Sequence, residues 1–217
     1  MTRLVIFCAS LLAFGTTLDS HIGRQAPPGG VTQGGAIVQA RADEALIIVD
    51  IQNFYFEGGL LPLSGPVEAA KQARRVLDRF REKQWPVIHV RHVPANAKET
   101  DQYKIHAAVT PLPSETVIVK HYANSFRETE LLDYLRQHGI KRLVIAGMQT
   151  HMCVEAAARA AADLGFDVTV VADACATRPL EYGGLTVPAA HVHAATLAAL
   201  KGTYAKIVTA DDLLKVR

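Results

Sequence analysis

From Asp43 onward the chain alternates two hydrophobic rhythms, and this alternation restricts the architecture more than any other feature. Short runs rich in β-branched residues occur at Leu46–Val49, Val87–Val90, Val117–Val119, Leu143–Ile145, Val168–Val171 and Lys206–Val208. Each has a strand's length and side chains that suit a pleated surface. Between them apolar residues recur at steps of three and four. The first such set is Val67, Ala70, Ala73, Leu77 and Phe80; the second is Leu131, Leu132 and Leu135, before a stop at Gly139. An Ala-rich helix follows from Met152 to Leu164, another from about Ala189 to Leu200, and a terminal turn at Asp211–Leu214. That spacing gathers the apolar side chains on one helix face. Strands separated by helices require crossovers, and crossovers join parallel strands. The expected fold is therefore α/β: a single three-layer domain over residues 43–217, with a six-stranded, mostly parallel sheet and helices on both faces. A chain of 217 residues has room for one such domain and hardly for two. In these sheets ligands sit beyond the carboxyl ends of the strands, so chemistry is sought there.

Ahead of the domain, Met1-Thr2-Arg3 precedes an apolar run from Leu4 to Phe14, and Ala13-Phe14-Gly15 offers a small-x-small cleavage site. Residues 1–15 thus read as a secretory signal peptide, too short to span a bilayer, and the protein as exported, periplasmic or extracellular. The same run also fits a misassigned start or an ordinary buried segment, in which case the protein is cytoplasmic. Cys8 follows bulky Phe7, which disfavours a lipoprotein site. Residues 16–42, with Pro27-Pro28-Gly29-Gly30 and Gly34-Gly35, read as a flexible tether. A composition of 49% hydrophobic and 20% charged residues excludes disordered, collagenous and coiled-coil classes. With 23 Lys and Arg against 21 Asp and Glu, and no long basic run, no surface for tracking nucleic-acid phosphates is expected. Cys8, Cys153 and Cys175 make neither a disulfide framework nor a C-x-x-C metal knuckle.

Three strand ends carry reactive side chains. Asp50 directly follows Leu46–Val49, at the lip of the sheet, where partial desolvation raises a carboxyl pKa towards a base or acid role; a turn or cap aspartate is the plain alternative. Lys120 ends the third run and either holds a neighbouring carboxylate and thiolate by charge or extends to solvent. After the fourth run, Gly147-Met148-Gln149-Thr150-His151-Met152-Cys153 delivers a thiol into the first turn of a helix. There the amide donors and the helix dipole lower its pKa and can hold an oxyanion. Gln52, Phe54, Phe56, Tyr122, Ser125, Phe126 and His151 are the candidates for a substrate pocket, with Tyr55 as a further aromatic, although packing alone also explains the aromatic residues. Among His106, His121, His151, His191 and His193, His151 is favoured because it stands on the nucleophile loop. Cys175 reads as a spectator thiol following the fifth strand, and Asp173 as a structural loop carboxylate.

Three segments, Leu46-Ile47-Ile48-Val49-Asp50-Ile51-Gln52-Asn53, Lys120-His121-Tyr122-Ala123-Asn124-Ser125-Phe126 and Gly147-Met148-Gln149-Thr150-His151-Met152-Cys153-Val154, match in order and spacing the cysteine hydrolases of the isochorismatase-like superfamily, which the chain resembles over residues 44–214. The resemblance implies an Asp50, Lys120 and Cys153 triad, and neighbouring first and fourth strands. It further implies a cis peptide between Met148 and Gln149 that aims the Gln149 and Cys153 amides at an oxyanion, and a homo-oligomer. A small-residue face on the Ala-rich helix suits close packing against a neighbour. Nicotinamidases of the family bind a divalent metal through Asp-x-His, whereas this chain has His89-Val90-Arg91-His92-Val93-Pro94. Two histidines at that spacing on a strand face opposite ways, so no metal and no other cofactor is expected. The family's vinyl-ether hydrolases lack the cysteine, which leaves attack on a small amide or carbamoyl carbon through a thioester as the expected activity. Vinyl-ether hydrolysis and a non-catalytic binding or partner protein on the same fold remain the alternatives, although no G-x-G-x-x-G or P-loop supports nucleotide binding.

Overall fold

The computed structural model describes residues 43–217; the expected signal peptide and tether lie outside the described residues. Six strands form one parallel sheet: β1 (Glu44–Val49), β2 (Val87–His92), β3 (Thr116–Lys120), β4 (Arg142–Met148), β5 (Asp167–Ala176) and, numbered after a hairpin, β8 (Lys206–Val208). Their order is β3-β2-β1-β4-β5-β8, so β1 and β4 are neighbours at the centre. Helices α1 (Pro66–Glu82), α2 (Leu131–Gln137), α3 (Glu155–Asp163), α4 (Ala189–Leu200) and α5 (Ala210–Lys215) provide the crossovers and the end cap.

The strict alternation of β1 distributes its side chains to two cores. Ala45, Ile47 and Val49 face one way, with Leu131 and Leu135 of α2, Ala157, Ala158 and Ala161 of α3 and Leu197 and Leu200 of α4. Leu46 and Ile48 face the other, with Ala70, Ala73, Leu77 and Phe80 of α1 and Leu213 of α5. The small-residue face of α3, expected to allow close packing against a neighbour, places Ala157, Ala158 and Ala161 in this core. Val67, counted with the core face of α1, lies in the first turn and is exposed. At the edge, β3 buries Ile118 and leaves Val117 and Val119 exposed, since among the described residues little packs on its outer face.

Two local features differ from expectation. The stretch after Arg178 folds as an antiparallel hairpin of β6 (Leu180–Tyr182) and β7 (Leu185–Val187). Its turn is Gly183-Gly184, both with positive φ as a tight right-twisted hairpin demands. Strand β5 also runs on through Ala176, so Asp173 and Cys175 belong to the strand and not to a following loop. Asp173 Oδ1 accepts the Ala210 amide at 2.7 Å, seating the start of α5. Cys175 Sγ donates to the Val171 carbonyl at 3.3 Å, and burial pushes its thiol up to about 12.

Gly147 illustrates how tightly the central strands approach. It pairs with Val49 at φ 146°, and a Cβ there would stand 1.9 Å from the Val49 carbonyl oxygen. Only glycine tolerates both the angle and the contact. On the outer side of the sheet, Glu115 accepts from Arg81 Nε and Nη2 at 2.7 and 2.8 Å, from the Leu112 amide at 2.9 Å, and pairs with His89 Nε2 at 3.0 Å. Burial opposes its charge, but these donors outweigh burial and hold the carboxyl down at about 2, from an ordinary 4.5. The cluster ties α1 to β2 and the entry of β3.

Two expected outcomes follow from this packing. Gly147→Ala should lose about 3 kcal/mol or more of unfolding free energy, since backbone must move to admit the methyl; denaturant titration measures it. Glu115→Gln should lose about 2 kcal/mol at pH 7. Because the folded pKa is depressed, that contribution is full above 4.5 and disappears as pH falls through about 2, so the gap between wild type and variant should narrow across that window in pH-dependent unfolding.

Candidate active site

The carboxyl end of β1 terminates in Asp50, whose φ of 51° turns the chain sharply while its amide still donates to the Val90 carbonyl at 2.9 Å. The side chain is fully buried at the sheet lip. Lys120 ends β3, two strands away across β2, a separation of roughly 10 Å between backbones. A four-carbon stem ending in a cation can cross the end of β2 to meet a carboxylate there. Lys120 Nζ lies 2.8 Å from Asp50 Oδ2, both residues wholly shut from solvent. The ammonium also donates to the Tyr122 carbonyl at 3.0 Å and lies 3.3 Å from His92 Nδ1, so its charge is well solvated by protein.

Cys153 arrives from the other side of β1. The peptide between Met148 and Gln149 is cis, and residues Thr150–Val154 form a π-helical turn that runs into α3, with the Val154 amide donating to the Gln149 carbonyl at 3.2 Å. Thr150 Oγ1 contacts His193 Nδ1 of α4 at 2.9 Å, clamping the turn. One ligand atom each from Cys153, Asp50 and His92 lies within 4.8 Å of the others.

The electrostatics reverse one expectation. A helix start was expected to lower the Cys153 pKa, yet burial and the facing Asp50 carboxylate push the thiol up to about 12, against the pull of Lys120. A second anion beside Asp50 in a dry site costs more than the dipole returns. Burial also raises Asp50 above its ordinary value of 3.8, although Lys120 opposes this. For Lys120 burial works downwards, but the charges of Asp50 and Cys153 prevail and the ammonium is retained. Burial thus pushes Asp50 and the Cys153 thiol towards their protonated forms while Lys120 keeps its charge, so a carboxyl group more basic than usual faces the thiol.

A cavity of about 510 Å³ opens over Cys153. Of the expected pocket residues, Phe54, Tyr55 and Tyr122 line it; Leu60, Leu61, His92, Pro94, Tyr103, His121, Ala123, Gln149, Met152 and Arg178 do so as well. Five expected residues are placed elsewhere. Gln52 braces β2, its Oε1 accepting the His92 amide at 2.7 Å and its Nε2 donating to the His92 and Tyr103 carbonyls. Phe56 stacks on His106, Phe126 stacks on Phe166 against the flank of the core with both rings half-buried, and Ser125 is fully buried. His151 turns to Thr177 Oγ1 at 2.5 Å. His92 carried a visible signal, a histidine at a strand end. Leu60, Leu61 and Tyr103 come from loops whose course no periodicity reveals.

Metal ligation does not fit these residues. His89 is engaged with Glu115 on the face opposite to His92. A divalent ion on the cluster of Asp50, His92 and Cys153 would sit directly against the Lys120 ammonium, which already occupies the carboxylate.

An isochorismatase domain model matches residues 44–212. The chain is 44% identical over 177 residues to the isochorismatase-family protein YddQ of Bacillus subtilis, covering 79% of this chain and 98% of that one. A crystal structure described as a putative isochorismatase hydrolase from Oleispira antarctica superposes with a TM-score of 0.77 at 42% identity, covering 86% of this chain and all of that one. The maleamate amidohydrolase of Pseudomonas putida is 27% identical over 191 residues, covering 79% of this chain and 85% of that one. With this fold, this match over most of its domain and these relatives, the chain belongs to the isochorismatase family of hydrolases.

Proposed function

We propose that the protein hydrolyses a carbon–nitrogen bond of a small amide or carbamoyl compound, with Cys153 as nucleophile, Asp50 as the proton carrier and Lys120 as the charge that keeps Asp50 in place. The observation that carries this reading is the meeting of the three groups, buried, at the floor of one cavity. The name of the maleamate amidohydrolase relative supports the choice of an amide over a vinyl ether.

In this mechanism the thiol proton passes to Asp50 as sulfur attacks the carbonyl carbon, so no free thiolate accumulates and the high resting pKa is no obstacle. The amides of Gln149 and Cys153 stabilise the oxyanion of the tetrahedral adduct. Asp50 then gives its proton to the departing nitrogen, the C–N bond breaks and a thioester remains. Water attacks the thioester, losing a proton to Asp50. As the C–S bond breaks, that proton returns to sulfur. Lys120 stays charged throughout and limits how far Asp50 drifts towards the neutral acid. Tyr55, whose hydroxyl accepts from Gln149 Nε2 at 3.4 Å, is held protonated by burial and by the charges of Asp50 and Cys153. It acts as a fixed polar wall and not as an acid.

Screening amides and ureides for turnover tests the reaction class. Cys153→Ala should abolish turnover with the melting temperature unchanged within a few degrees; retained turnover overturns the mechanism. Asp50→Asn should prevent thioester formation seen by intact-protein mass spectrometry in quenched wild-type reactions. The pH profile of kcat/KM should show an acid limb centred above the ordinary carboxylate value of 3.8. Below that midpoint Asp50 already carries a proton and cannot take another. A limb at or below that value contradicts the assignment of Asp50 as base.

A further inference from the structure

The residues lining the cavity over Cys153 include one permanently charged side chain, Arg178, on the segment between β5 and β6. Asp50 and Lys120 beneath the thiol neutralise each other. His92 is neutral at pH 7, because burial and Lys120 both push its pKa down. Arg178 has no carboxylate partner among the described residues. Its Nε–H is shut away from water with no acceptor, and Nη1 reaches only the Pro179 carbonyl at a long 3.5 Å. An unsatisfied buried guanidinium donor is unfavourable, and it is relieved by an acceptor supplied from outside the protein. The Arg178 charge also reaches inward, acting on both Tyr55 and His151. Tyr55 in turn is joined to Gln149, whose own Oε1 is buried and unpaired at the edge of the same cavity.

We infer that Arg178 is a specificity-determining residue that holds a carboxylate of the substrate, so that the substrate is a small monoanionic acid amide. This rests on the reading of Cys153 as nucleophile. The guanidinium fork takes the carboxylate, an arrangement in which the charge of the ligand cancels the net charge of the cavity. The scissile amide is then directed to Cys153, with Gln149 Oε1 free to accept from its N–H. The apolar body rests against Phe54, Tyr103 and Tyr122. A neutral diamide of the same shape leaves Arg178 unpaired in the complex and is correspondingly disfavoured.

Alkylation of Cys153 by iodoacetate and by iodoacetamide tests this with reagents that differ only in the charged group, read by peptide mass spectrometry on the full-length protein. The ratio of the iodoacetate to the iodoacetamide rate should fall roughly 10- to 100-fold in Arg178→Gln, and Arg178→Lys should retain an intermediate ratio because charge survives without the fork. Turnover of succinamate and maleamate should likewise exceed that of succinamide and maleamide in wild type, with the preference in kcat/KM lost in Arg178→Gln mainly through KM. Thermal melts establish that both variants are folded. Alkylation of Cys153 at a ratio untouched by Arg178→Gln overturns the carboxylate site and leaves the nucleophile standing. No reaction of Cys153 with either reagent overturns the nucleophile and the substrate assignment together.

Discussion

The buried ion pair between Asp50 and Lys120 is the constraint around which the site is arranged. At 2.8 Å and without solvent, neither charge survives alone: an unpaired carboxylate would take up a proton and an unpaired ammonium would lose one. The pair fixes the spacing of β1 and β3 ends and requires His92 and the Tyr122 carbonyl to complete the lysine's partners, while burial leaves Asp50 more basic than an ordinary carboxylate against the pull of Lys120. Removing either partner would therefore alter ionisation first and geometry second.

The sheet makes this arrangement possible through its strand order. With β1 in the middle, β3 two places to one side and β4 immediately on the other, Asp50, Lys120 and the loop that carries Cys153 all end at one lip. The close approach of Gly147 to Val49 brings the Cys153 segment down to Asp50; a side chain at Gly147 would lift it away. Gln52 then locks the end of β2 by two hydrogen bonds to His92 and ties it to Tyr103 by a third, so His92 meets the pair from a braced edge. Rigidity here is useful because proton transfer needs atoms held at hydrogen-bond distance before the substrate arrives.

Much of this was legible in the linear order of residues. The six β-rich runs became the six strands of the sheet, and the helix spanning Ala189–Leu200 has the predicted bounds. The site was less fully legible. Asp50, Lys120 and Cys153 stand at strand ends or just beyond, where a rule of position finds them. The cavity wall was misjudged wherever a neighbour on the chain was taken for a neighbour in space. Phe126 lies six residues past Lys120, yet it packs against Phe166 on the flank of the core, whereas Tyr103 and Arg178, far from any motif, border the cavity.

The alternation of periods two and three-to-four determined the layers, and the placement of an acid, a lysine and a cysteine at strand ends determined which chemistry the lip holds, because both depend only on local order along the chain. Tertiary structure decided the protonation state and the recognition surface. Burial of Cys153 opposite Asp50 reverses the pKa shift that a helix start alone predicts, since desolvation and like charge outweigh a dipole. The unpaired guanidinium of Arg178 becomes meaningful only once the segment after β5 is folded over the cavity, because whether a charge has a partner is a property of space and not of sequence.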